Sequence, residues 1–373
     1  MRIFDCYSLT LSARYMKTEG IRISSFKEII HRNQKVLLCF FPYDPQLLKN
    51  FRKEFPSAKW SRTHHAWYVP DNRLYRKRLN FPLPEIGDNW LPKFYGHNKN
   101  EFIKFRNALT QKALSPNTIN TYLGEFAQLL ILLKDHPVNQ LSSERLNAYF
   151  LYCIKTLKHS EAQVYSRMNA VKSYFRLVLG RETVFDRVIR PKPTKSLPKV
   201  LSKQEVLKLF SATSNPKHLL ILKMAYGMGL RVSELIALKV SHIDLDRKQV
   251  HVVSSKGKKD RYVNFPESLL PLYLDYLKAY QPTSYLFQGQ YSEQYSVRSA
   301  QAVFRNAMKK ASIHKTVGIH GLRHSYATHL LEAGTDMVFI QKLLGHKNVK
   351  TTEVYAKISN KILSNVQSPL DTL

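Results

Sequence analysis

Six residues in this 373-residue chain carry side chains suited to a single reaction. They are Arg231 in Gly-Leu-Arg, Lys256 in Ser-Lys-Gly, His320 and Arg323 in His-Gly-Leu-Arg, His346 in Leu-Gly-His, and Tyr355. Two guanidiniums can grip the non-bridging oxygens of a phosphate through paired hydrogen bonds. Imidazoles and an ammonium can move protons, and a phenol can attack phosphorus and hold it covalently. With that set a phosphodiester can be cut without a metal, a nucleotide or any other cofactor.

The local sequence gives each residue a place. Gly227 and Gly229 let the chain turn before Arg231, and Ser233 and Glu234 suit the first turn of the helix that follows. Taken alone, Arg231 reads as a surface arginine after a loop. His320 opens a helix, and Arg323, three residues on, shares its side of the first turn, so both can converge on one phosphate. His324 and His329 in that helix read as packing or capping residues. A metal site on His320, His324 and His329 is disfavoured, because no acidic residue lies near before Glu332 and Arg323 would sit among the ligands. Gly345 ends a further helix, with His346 just beyond it and Tyr355 in the first turns of the next. Tyr355 by itself is one of 21 tyrosines, most of which serve in packing.

Taken as a string, Arg231, His320-x-x-Arg323, Leu-Gly-His346 and a tyrosine nine residues later resemble the tyrosine recombinase (phage integrase) family over about residues 97 to 366. The resemblance implies that Tyr355 attacks the scissile phosphate to form a 3′-phosphotyrosine and that Arg231 and Arg323 hold the phosphate. Lys256 would protonate the leaving 5′ oxygen, with Lys258 and Lys259 as neighbours that could be confused with it. His320 would assist proton transfer, and His346 would donate a hydrogen bond. It further implies a Holliday junction resolved in a tetrameric synapse, a dimer on each double-stranded recombination site, accessory DNA-bending proteins, and service to a mobile genetic element. A type IB-like topoisomerase and a non-cutting architectural DNA binder are the competing readings.

Composition agrees with a DNA partner. Lys and Arg number 58 against 27 Asp and Glu, a net charge of +31 spread along the whole chain. Such a surplus favours an anionic polymer through counterion release over a membrane surface. Cys6, Cys39 and Cys153 are widely spaced with no CxxC pair, which argues against a disulfide framework or a thiolate zinc site. The start, Met-Arg-Ile-Phe-Asp-Cys-Tyr, lacks the order of a secretory signal, and no apolar run is long enough to span a bilayer. The expected location is the cytoplasm, in association with the nucleoid.

The elements that must position these groups read as mainly α with small β elements. Residues 1–92 predict a small α/β N-terminal domain: a strand at Val36 to Phe41, a helix from Asp44 to Phe55, and a basic aromatic hairpin around Trp60, Trp67 and Tyr68. That hairpin is read either as a binder of accessory arm-site DNA or as the small domain's core. Residues 93–189 read as a bundle of four helices, which the resemblance makes a helical, SAM-like core-binding domain. Residues 190–200 form a basic, proline-stiffened linker, read as a tether or a strap across DNA. Residues 201–373 read as helices interrupted by a hairpin with Lys256 at its tip, which the resemblance makes the mixed α/β catalytic domain. The tail after Tyr355 has helical spacing at Ile358, Ile362, Leu363 and Val366; the resemblance implies docking on a neighbouring protomer, with packing in its own subunit as the alternative.

Overall fold

A computed structural model describes residues 25–191, 198–253, 260–290, 292–346, 348 and 350–356. Lys256, most of the proline-rich linker and the tail beyond Ala356 therefore lie outside the described residues. The architecture is mainly helical with two small sheets.

The N-terminal part is a four-stranded antiparallel sheet carrying two helices. Its strands are β1 (Ser25–His31), β2 (Gln34–Phe40), β3 (Lys59–Ser61) and β4 (Ala66–Pro70), in the order β1-β2-β4-β3. Helix α1 (Pro45–Glu54) starts where the Asp44 carboxylate accepts the amides of Gln46 and Leu47. Helix α2 (Arg73–Arg78) follows β4. Period-two alternation sends Leu37, Cys39 and Val69 to one face, where they meet Phe51 and Phe55 of α1 and Tyr75 of α2. Trp67 joins this core, whereas its cross-strand partner Trp60 is half exposed. Tyr68 points to the other face and meets the ring of His31 edge-on.

The central unit, Pro84–Ser196, is a helical bundle built on α3 (Gly96–Gln111), α4 (Pro116–Leu133), α5 (Ser143–Lys155) and α6 (Glu161–Leu177). Ser115, Ser142 and Ser160 cap the starts of α4, α5 and α6, each through a side-chain oxygen accepting a first-turn amide. The 3.6-residue period lays Ile119, Leu123, Phe126 and Leu130 against Phe102, Phe105 and Tyr174. Asn98 closes the turn after α4: its amide donates to the carbonyls of Lys134 and His136, and its oxygen accepts the Val138 amide. On α5, Cys153 fills the core while its neighbour Ile154 is 42% exposed.

The C-terminal part holds α7 (Lys203–Ser211), α8 (Pro216–Gly227), α9 (Val232–Ile236), α10 (Leu270–Tyr280), α11 (Val297–Lys310), α12 (His320–Glu332), α13 (Met337–Leu344) and α14 (Lys350–Ala356). A three-stranded antiparallel sheet, β5 (Ile243–Asp244), β6 (Gln249–Val252) and β7 (Arg261–Asn264), interrupts them in the order β5-β6-β7. The main core centres on α8, whose Leu220, Ile221, Leu222 and Met224 are fully buried. A satellite cluster of Ala327, Ile340, Leu344 and Tyr355 joins α12, α13 and α14. No helix among the described residues is long and apolar enough to cross a membrane.

Candidate active site

The C-terminal part brings Arg231, His320, Arg323, His346 and Tyr355 to one place, and backbone chemistry explains how. Gly229 has φ of +57°, and a Cβ there would lie 2.4 Å from Tyr326 Cδ1. Only glycine can turn the chain this close to α12, which delivers Arg231 as the N-cap of α9. Glu234, three residues on, accepts the Arg231 amide at 2.9 Å and its Nη1 at 2.7 Å. Arg231 is thus no free surface arginine; its side chain is 26% exposed and tied to its own helix.

Arg323, on α12, is 1% exposed. Its Nη1 donates to the Gly229 carbonyl at 2.7 Å, and Nη2 donates to the Leu344 carbonyl at 2.6 Å. Leu344 ends α13, where the last carbonyls of a helix lack partners, and Gly345 at φ of +63° closes that end in the left-handed conformation. Arg261, the first residue of β7, serves the same helix end by donating Nε to the Leu343 carbonyl at 2.8 Å. Both guanidiniums complement the negative pole of α13.

One carboxylate organises these cations. Glu234 accepts Arg261 Nη1 at 3.0 Å and Nη2 at 2.8 Å, and lies 3.8 Å from Arg323. Burial pushes the Glu234 carboxyl up, but the Arg261 hydrogen bonds and charge, with those of Arg231, hold it at about 2. Three guanidiniums around one carboxylate leave an excess of positive charge, the electrostatic form of an anion site. Burial, with Arg231 beside it, pulls the Arg323 guanidinium down to about 9, still charged at neutral pH.

The histidines follow. His346 Nε2 lies 3.0 Å from Arg323 Nη2, so it accepts; Nδ1 must then carry the proton and donate to Thr352 Oγ1 at 3.0 Å. Burial and the surrounding arginines lower His346 to about 4, which keeps this neutral tautomer at pH 7. His320 keeps an open face, yet its surroundings lower its pKa, first by desolvation and then through Arg323 and Arg231. Tyr355 is 2% exposed; its ring stacks on His346 at 6.3 Å and 16°. Burial raises its phenol pKa, while Arg323 and Arg231 work in the other direction.

His324 departs from its sequence reading as a packing or capping residue. Its Nδ1 lies 3.1 Å from the Tyr355 hydroxyl, so it lines the site. His329, by contrast, is buried in packing, with Nδ1 2.9 Å from the Tyr226 hydroxyl. Glu234, Arg261 and Thr352 also belong to the site, although the sequence alone does not mark them as such. The signals were present: Glu234 stands at the capping-box position after Arg231, and His324 stands one turn after His320. Neither spacing could reveal contacts across 31 and 27 residues, those of His324 with Tyr355 and of Arg261 with Glu234.

The phage integrase family model matches residues 199–361, and the phage integrase N-terminal SAM-like domain matches residues 102–184. Tyrosine recombinase XerA of Thermococcus kodakarensis is 35% identical over 275 residues, which span 72% of this chain and 94% of that protein. The chain belongs to the phage integrase family of tyrosine recombinases. Tyrosine recombinase XerA of Pyrococcus horikoshii is 38% identical over 200 residues, 52% of this chain and 69% of the relative. A lambda integrase dimer bound to a COC′ core site shares the fold at a TM-score of 0.58 and 18% identity, covering 88% of this chain and 93% of that one. As a member of this family the protein is a site-specific tyrosine recombinase that acts on DNA.

Proposed function

We propose that Tyr355 is the nucleophile that cuts and rejoins duplex DNA through a 3′-phosphotyrosine. The observation that carries this reading is the convergence on one phenol: His346 stacks on it, and Arg231 and Arg323 lie near enough for their charges to act on it. Arg231 and Arg323 hold the scissile phosphate and offset the charge that builds as phosphorus is attacked. Lys256 protonates the departing 5′ oxygen. Its hairpin starts from β6 and returns on β7, whose first residue is tied to Glu234 beside the arginines, so the hairpin's base is anchored at the phosphate site. His320 assists proton transfer. His346 braces Arg323 in the protein without DNA, and donating to the phosphate requires it to give up that partner and carry its proton on Nε2, so its loss weighs less than that of either arginine.

The phosphotyrosine conserves the ester's energy, and a 5′-hydroxyl from a partner strand can attack it. Two such rounds in a tetramer, with a dimer on each site, exchange the strands through a Holliday junction. The lambda integrase dimer on its core site supports the dimeric arrangement. The reading extends to integration or excision of a mobile genetic element in the cytoplasm, with accessory DNA-bending proteins as helpers. In the N-terminal part, exposed Lys59, Trp60, Arg62 and His65 on the β3–β4 hairpin support a further DNA contact.

A duplex nicked near the cleavage site, mixed with protein and a chelator, tests the chemistry. A covalent adduct that maps to Tyr355 and disappears in Tyr355→Phe is the expected result. Retention of DNA with no adduct on a cognate site would leave only an architectural binder. Loss of supercoils from one site without recombinant product from two would make it a topoisomerase.

A further inference from the structure

If Tyr355 attacks phosphorus, its hydroxyl proton must go somewhere, and the neighbours of that oxygen can be taken in turn. Arg323 is a donor, with its nitrogens given to Gly229, Leu344 and His346. His346 stacks on the phenol, but Nε2 receives Arg323 and Nδ1 gives its proton to Thr352, so both nitrogens are engaged. His320 meets the ring of His324 edge-on at 4.6 Å. Among the described residues, the hydrogen-bond partner of the phenol is His324, with Nδ1 3.1 Å from the hydroxyl. This distance is within reach for direct proton transfer.

We propose that His324 is a further catalytic residue of the recombinase, the base that accepts the Tyr355 proton during attack and returns it during rejoining. In cleavage the Tyr355 oxygen bonds to phosphorus as its proton passes to His324 Nδ1. The bond from phosphorus to the 5′ oxygen breaks, and that oxygen takes a proton from the general acid. In rejoining, a 5′-hydroxyl attacks the phosphotyrosine and gives its proton back to the general acid, while the bond from phosphorus to the Tyr355 oxygen breaks and the departing phenolate recovers its proton from His324. The assignment rests on Tyr355 as nucleophile.

The electrostatics suit a base held in reserve. Burial, with His320 and the Arg323 charge close by, lowers His324 to about 4, so it stands neutral with Nδ1 free to accept. Burial raises the phenol, so the resting pair keeps its proton on oxygen. The negative charge of an arriving phosphate favours the imidazolium and narrows that gap. Proton transfer is thereby coupled to the presence of substrate.

Two variants separate a proton acceptor from a mere prop. In His324→Asn the side-chain oxygen can take the place of Nδ1 and still accept the phenol's hydrogen bond, but it cannot carry the proton away. We expect His324→Asn and His324→Ala to bind site DNA as wild type does and to cleave the nicked duplex roughly 10²–10⁴-fold more slowly. Installing a fluorinated tyrosine of lower pKa at position 355 should restore at least about tenfold in His324→Asn and little in wild type, since an acidic phenol has less need of a base. A 5′-bridging phosphorothiolate substrate, whose leaving group needs no acid, should rescue Lys256→Ala and not His324→Asn. Cleavage by His324→Asn within about threefold of wild type, or faster than wild type, would overturn the proposal and leave His324 as a residue that only parks the phenol. An adduct that survives in Tyr355→Phe would instead defeat the assignment of the nucleophile, a different failure.

Discussion

Glu234 takes both terminal nitrogens of Arg261, at 3.0 and 2.8 Å, across 27 residues of sequence. The same carboxylate holds Arg231 and faces Arg323, so a single acid keeps three like charges together in a protein of net charge +31.

That acid should make stability depend on pH in a defined window. Its folded pKa of about 2 lies below the ordinary 4.5. The stabilisation is therefore complete above about pH 4.5 and is lost as pH falls through about 2. A carboxyl moved that far is worth roughly 3 kcal/mol. Chemical denaturation of the isolated protein across that range should show the loss in wild type and not in Glu234→Gln. The variant should also be less stable at pH 7, by about 3–5 kcal/mol, because three guanidiniums would face one another uncompensated. Parallel pH curves for the two proteins would refute this role for Glu234.

The two proposed phosphate ligands should separate by their cost to the fold. Arg323→Ala leaves the carbonyls of Gly229 and Leu344 without donors in a buried place, at about 1–3 kcal/mol each. Arg231 is more exposed and bonds to an acid that keeps Arg261 as a partner, so Arg231→Ala should cost under about 1 kcal/mol. Both should slow adduct formation by about 10²–10³-fold or more. Thermal melts together with cleavage rates decide the matter, and equal melting temperatures for the two variants would contradict the burial described above.

Gly229→Ala should be severe for so small a change. The new methyl would have to adopt φ of +57° and meet Tyr326 at 2.4 Å. The left-handed conformation alone costs about 1–2 kcal/mol, before any shift of α12. Because Gly229 also accepts Arg323 Nη1, the variant should lose cleavage as well as stability. A melting temperature unchanged within a degree or so would show that this turn relaxes freely.

The sequence made much of this legible, and the reasons are local. Ser115 announces a helix start because a cap acts within three residues. Gly345 marks a helix end because its left-handed turn needs no distant partner. The strand Ser25–His31 went unread, since its mixed residues alternate only weakly until β2 pairs with them. Glu234 passed as an ordinary first-turn acid, because its second guanidinium comes from β7. Each histidine of α12 was visible, but which one faces the phenol depends on how α14 settles on α12.

Tyr355 is 2% exposed in the protein without DNA. On the proposed reading of Tyr355 as nucleophile, a solitary protomer adrift among phosphates carries its cutting atom sheathed, with nothing to offer a passing backbone. On that same reading, whatever engages the true site must first draw the blade, and random scission is restrained by concealment as well as by recognition.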